Sequence, residues 1–173
     1  MATIEQSKGG ASELGIQLAG KYLTFKLGDE EYGLQILKVQ EIIRMQTVTR
    51  VPRTPDYLRG VINLRGKVIP VVDLRRKFGL CDQDDTERSC IIVVQIMNAN
   101  ATVTMGIIID EVREVLDIVA ENIEETPSFG ANVDAEFILG IGKIGQSVKI
   151  LLDIDKVLSV SEITTLKTAA GAN

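Results

Sequence analysis

An internal repeat constrains this chain more than any other feature. Gly33-Leu-Gln-Ile36-Leu-Lys-Val39-Gln-Glu41-Ile42 returns 73 positions later (106 − 33) as Gly106-Ile-Ile-Ile109-Asp-Glu-Val112-Arg-Glu114-Val115. A second block, Gly60-Val-Ile-Asn-Leu64 through Val71-Val72-Asp73-Leu74, returns 80 positions later (140 − 60) as Gly140-Ile-Gly-Lys-Ile144 through Leu151-Leu152-Asp153-Ile154. Two blocks in the same order at nearly the same shift mark a duplicated supersecondary unit. Where the copies have diverged is where specialised function is sought. Within 173 residues this leaves one domain of ordinary size or two small modules sharing a core.

Short apolar alternations separated by turn residues predict a mainly β fold. Residues 22–27 and 32–36 read as a hairpin around Gly28-Asp-Glu-Glu31, and 61–64 with 67–72 as a second around Arg65-Gly66. The next cycle repeats the arrangement over 90–96 and 102–109, then 137–141 and 147–152. Apolar residues at 36, 39, 42 and 43 have helical spacing and predict a helical turn before Arg44. Pro70 argues for an edge or bulge position, and Asp73 is placed to cap a short helix. Residues 1–20 read as a flexible tail, 154–166 as a terminal helix and 167–173 as a frayed end. Few helices are long enough for parallel crossovers, so two small antiparallel barrels side by side, over roughly 21–88 and 89–153, fit best. One sandwich of about ten strands is the alternative.

Composition removes several functions. The chain has no histidine, no tryptophan, no phosphate-binding glycine motif and no paired-cysteine zinc spacing. Neither a catalytic residue, nor a metal, nor a cofactor is expected. Asp73 and Asp153, the best remaining candidates for acid–base work, are better explained as caps in both copies. A net charge of −5 opposes general attraction to nucleic acid. No apolar run nears the roughly 20 residues of a membrane helix and the start is not a secretory signal, which points to the cytoplasm and to reduced Cys81 and Cys90.

The copies differ most clearly around one carboxylate. Glu41 and Glu114 match, but Arg65, in the turn after Asn63, is replaced by Gly145 in the second copy. A Glu41–Arg65 ion pair is therefore expected in the first copy alone; the alternative for Arg65 is a solvated turn residue. Basic residues from Arg50 to Lys77 cluster in the first copy and suit an acidic protein partner. Phe129 sits in a loop as either a core anchor or a partner-facing contact.

Gly28-Asp-Glu-Glu-Tyr-Gly33, Ile36-Leu-Lys-Val-Gln-Glu-Ile42, and Thr54-Pro55 followed by Arg59-Gly-Val-Ile-Asn-Leu-Arg-Gly-Lys-Val-Ile-Pro-Val-Val-Asp-Leu-Arg75 strongly resemble the CheW family of bacterial chemotaxis coupling proteins, from about residue 21 to 166. The resemblance implies two tandem SH3-like five-stranded β-barrels. It also implies a non-catalytic adaptor joining the cytoplasmic hairpin tip of chemoreceptors to the regulatory domain of the CheA histidine kinase, within membrane-bound receptor arrays. Carried onto this chain, the receptor groove comprises Val39, Glu41, Gly60, Cys90, Val115 and Gly140. The kinase-facing surface comprises Ile42, Arg59 and Arg65, with a second contact near Phe129. Cys90 is a thiol where an aliphatic is usual. A module of a larger signalling protein is the runner-up, and a barrel binding single-stranded nucleic acid comes third, since the aromatics are not interleaved with a basic groove.

Overall fold

The computed structural model describes residues 11–80, 84–98, 101–127, 136–158 and 162. The strands are β1 Gly20–Leu27, β2 Glu30–Gln35, β3 Val39–Arg44, β4 Leu58–Leu64, β5 Lys67–Asp73, β6 Cys90–Asn98, β7 Ala101–Ile109, β8 Glu111–Ile118, β9 Ile123–Glu124, β10 Ile138–Ile144 and β11 Ser147–Leu152. Helix α1 spans Glu13–Leu18 and α2 Leu74–Lys77, and 3-10 turns lie at Ile36–Lys38 and Ala120–Asn122. The fold is mostly β, as the alternation predicts.

The strands form two sheets with the orders β8-β1-β2-β11-β10-β9 and β3-β6-β7-β5-β4. Matched by the repeat, these are the same sheet built twice. β8 corresponds to β3, β1 to β6, β2 to β7, β11 to β5 and β10 to β4, and the isolated Thr49–Val61 bridge stands where β9 stands in the other. Even the parallel junction agrees, since Leu151 lies opposite Gly33 in one sheet and Val71 opposite Gly106 in the other. Each sheet therefore takes its first hairpin from one copy and its remaining strands from the other. The two halves 21–88 and 89–153 are thus intertwined in one domain: one sheet is drawn from β1, β2 and β8 to β11, the other from β3 to β7. The chain crosses between sheets at Ile36–Lys38 and again at Asp110, between β7 and β8.

Both copies bulge at matched places. The β3–β6 register shifts between Val39 and Glu41, the β8–β1 register at the matched 112–114 step, and the β4–β5 and β10–β11 registers before Gly60 and Gly140. An extra residue reverses the side-chain alternation. This explains the spacing at 36, 39, 42 and 43: only 36–38 form a 3-10 turn, and the bulge at Gln40 puts Val39 and Ile42 on one face of a strand. Pro70 is neither at an edge nor in a bulge; β5 is internal, and its parallel pairing with β7 begins at Val71, so the missing N–H falls just before that ladder.

The largest core lies between the sheets. Phe25, Leu34, Ile92, Val94, Met105, Ile107 and Leu152 are buried there, with Phe25, Tyr32, Phe78 and Phe137 forming a ladder of ring contacts. Smaller cores lie on the other face of each sheet, Ile62, Ile69 and Ile91 in one and Tyr22, Ile118 and Leu151 in the other. Part of the expected tail belongs to the second of these. Ser12 caps α1 by accepting from Gly15 N at 2.9 Å, Leu18 is buried, and the Tyr22 hydroxyl donates to Leu18 O at 2.7 Å. Two apolar residues four apart, Leu14 and Leu18, are too little periodicity to announce a six-residue helix. After β11, residues 154–156 form a turn and 157–158 a bend where a helix start is expected, with Val157 and Leu158 buried in the inter-sheet core; of the rest of that expected helix only Glu162 is among the described residues.

Candidate functional site

The turn joining β4 to β5 has positive φ at both central residues, Arg65 at 52° and Gly66 at 87°, the pattern of a type I′ hairpin. In the matched turn the first of these positions is Gly145, at φ 61°. An arginine in this region costs about 1–2 kcal/mol relative to an ordinary conformation. The conformation aims its guanidinium across to β3, where Nη1 donates to Glu41 Oε1 at 3.0 Å and Nη2 pairs with Oε2. β3 and β4 are the two edges of one sheet, so this bidentate pair spans between edges that no backbone ladder joins among the described residues. Hydrogen bonding to Arg65 holds the Glu41 carboxyl below the usual carboxylate range, and the same bonds raise the arginine. The Arg65 side chain remains 67% exposed, so the pair presents charge at the surface.

Arg59 occupies the bulge of β4. Its Nη1 donates to Asp73 Oδ2 at 3.0 Å and its Nη2 pairs with Asp85. Asp73, fully buried, also accepts from Arg75 N at 3.0 Å and so caps α2 as expected. Arg75, 1% exposed, meets Asp73, Asp85 and Asp110. Burial works against its charge, and Asp73, Asp110 and Asp85 more than offset that. The second copy has Leu139, Asp153 and Asp155 at the places of Arg59, Asp73 and Arg75. Burial and the neighbouring Asp155 carboxylate push Asp153 above the ordinary aspartate value.

The apolar candidates divide. Val39 and Cys90 are half-buried against the inter-sheet core, while Ile42 and its repeat match Val115 are 45% and 51% exposed. Ile42 and Cys90 line one open cleft of about 510 Å³ with Met45 and Ser89. Candidates assigned to different partners are thus adjacent. Burial raises the Cys90 thiol, and it packs as a small apolar residue. Gly60 and Gly140 do not line an open wall. A Cβ on Gly60 would stand 2.2 Å from Thr49 O, and one on Gly140 3.0 Å from Glu124 O, so each glycine admits the backbone of its own chain. Phe129 and Cys81 lie outside the described residues.

Sequence reasoning missed the hub at Arg75 and two further pairs, Lys38–Asp155 and Lys149–Glu31. The signal was present in the repeat, because Arg75 aligns with Asp155 and Ile69 with Lys149. A charge that reverses or appears between copies needs a new partner. Among the described residues no His, Cys, Asp and Glu group is arranged to hold a metal, and no helix is long and apolar enough to cross a membrane.

Comparison with known proteins agrees with this architecture. The CheW-like domain family matches residues 21–162. The chain is 40% identical over 150 residues to the chemotaxis protein CheW of Klebsiella aerogenes, covering 87% of this chain and 88% of that protein. It is 32% identical over 148 residues to CheW of Treponema pallidum, covering 83% and 85%. The crystal structure of the scaffolding protein TtCheW from Thermoanaerobacter tengcongensis superposes with a TM-score of 0.73 at 34% identity, over 84% of this chain and 96% of that one. Repeat, paired sheets and these relatives together show that the chain belongs to the CheW family of chemotaxis adaptor and scaffolding proteins.

Proposed function

We propose that this chain couples chemoreceptors to a CheA-type histidine kinase by holding both, doing no chemistry itself. The observation that carries this reading is the Glu41–Arg65 pair: a strained, exposed arginine bridges two sheet edges in one copy, and the other copy has glycine. Strain kept at a surface turn, where it adds little to a core, suits a partner contact. With Ile42 and Arg59 nearby in the same sheet, the kinase regulatory domain is assigned to this face. The apolar hairpin tip of a receptor is assigned to the wall formed by Val39, Cys90 and Val115, with Glu41 at its margin. Gly60 and Gly140 are assigned to that groove on the family resemblance, and each admits its own chain, at residues 48–49 and 123–124. Phe129 is assigned to a second kinase contact on the family resemblance alone. Recruitment to receptor arrays follows from these two contacts.

The test is calorimetric titration of the protein with the isolated kinase regulatory domain and, separately, with a receptor cytoplasmic hairpin. Saturable one-to-one binding to each is expected. Arg65→Ala weakens the kinase contact by about tenfold and spares the receptor, whereas Val39→Asp does the reverse. Binding of the wild-type protein to neither partner would remove this reading.

A further inference from the structure

The two crossovers between sheets are each pinned by a charged pair, and the pairs are related by the repeat with their charges exchanged. At the second crossover Asp110 Oδ2 accepts from Gly28 N at 2.7 Å and its Oδ1 meets Arg75 Nη1 at 3.2 Å. At the first, Asp155 Oδ1 accepts from Met97 N at 2.9 Å and its Oδ2 meets Lys38 Nζ at 2.7 Å. Arg75 and Asp155 are repeat matches (155 − 75 = 80). Gly28 and Met97 match through the strand pairing, since Thr24 faces Gly33 and Val93 faces Gly106, a shift of 69 (93 − 24). Both sites join the tip of a first hairpin, a crossover and the turn after a last hairpin. In one the carboxylate belongs to the crossover and the cation to the turn; in the other these are reversed.

The two pins differ in strength. Arg75 is buried and held by three carboxylates, whereas Lys38 and Asp155 are 25% and 28% exposed and paired with each other. The residue of the first crossover that matches Asp110 is Leu37, 95% exposed. The anchoring charge has moved one place on, to Lys38, directly before Val39. We infer that the Lys38–Asp155 pair positions the segment Ile36–Val39 against the other sheet, and thereby sets the wall that Val39 gives to the receptor contact. The receptor part of this inference rests on the function proposed above; the positioning of the segment does not. Lys38 and Asp155 are positioning residues and need not touch a partner.

A double-mutant cycle on the full chain decides it, using Lys38→Met, Asp155→Asn and both together. Asparagine keeps an acceptor for Met97 N, so only the ion pair is removed. Hydrogen exchange at the Val39 amide, which donates to Ile36 O in the 3-10 turn, reports on the segment directly. Each single variant is expected to speed that exchange by about three- to tenfold and to weaken receptor-hairpin binding by a similar factor, with kinase-domain affinity kept within about twofold; the double variant is no worse than either single. Wild-type exchange at Val39 in both single variants would overturn the inference, as would additive effects in the double. If the wild-type protein binds no receptor hairpin, the functional reading fails, and the exchange data still support or overturn the pin.

Discussion

The sheet centred on β6 and β7 surrounds its buried acid Asp73 with Arg59 and Arg75, whereas in the sheet centred on β1 and β2 the positions that match those arginines hold Leu139 and Asp155, and the matched acid is Asp153. Strand order, bulges, the parallel junction and the cap on each aspartate agree between the two. Backbone architecture has been kept while the charged rim has been rewritten. A strand pairing cannot drift residue by residue without losing its register, but a surface ion pair can be gained or lost at small cost. The differences therefore concentrate in charged side chains: exposed Arg65 against Gly145, part-buried Arg59 against Leu139 and buried Arg75 against Asp155.

The widest gap between copies is expected at the glycines under the crossing backbone. Gly60→Ala places a methyl 2.2 Å from Thr49 O at a φ of 148° and is expected to cost about 4 kcal/mol, whereas Gly140→Ala, at 3.0 Å from Glu124 O, costs about 1. Chemical denaturation of both variants checks this; equal costs would show that the two crossings are not packed differently.

Next come the matched aspartates, where the same substitution is expected to change sign. Asp73→Asn leaves Arg59 and Arg75 facing a neutral amide and is expected to destabilise by about 3 kcal/mol. At Asp153 the folded-state pKa is raised, so the folded chain binds a proton more readily than the unfolded chain. The stability this group contributes is present below its unfolded value of about 4 and is lost as pH rises through the raised value. Asp153→Asn is accordingly expected to raise Tm at pH 7 and leave it unchanged near pH 3. A lower Tm at pH 7 would mean that the carboxylate is better satisfied than its surroundings suggest.

The smallest effect on stability is expected at the turns. Arg65→Gly gives the first copy the turn residue of the second, relieving the left-handed backbone as it removes the ion pair, so Tm stays at or above that of the wild type while the kinase contact weakens. Gly145→Arg introduces the strain and has Glu114 as its matched acid. A marked loss of Tm in Arg65→Gly would make the pair a structural brace rather than a surface device.

Much of the fold was legible because hairpins are local. Alternation over 22–27, 61–64 and 147–152 located strands to within a few residues, and Asp73 announced its cap. Which hairpins the two intertwined modules exchange was not legible, since periodicity says which face a strand buries but not which strand lies beside it. The bulge at Gln40 disguised a strand as a helical turn by resetting the period. Of the site, Glu41–Arg65 could be read from one altered repeat position, Glu114 having kept its acid while Gly145 replaced the arginine. The Arg75 hub was half legible: Arg75 against Asp155 marks a charge reversal between copies, but periodicity does not say that Asp85, from a loop, and Asp110, from a crossover, lie beside it.

The most direct test of this account is amide chemical-shift mapping of the protein on addition of the kinase regulatory domain. Perturbations are expected along residues 41–44 and 59–67, with residues 139–147 unmoved, because only the first copy carries the Glu41–Arg65 edge. Perturbations centred on 139–147, or shared equally by the two matched edges, would contradict it.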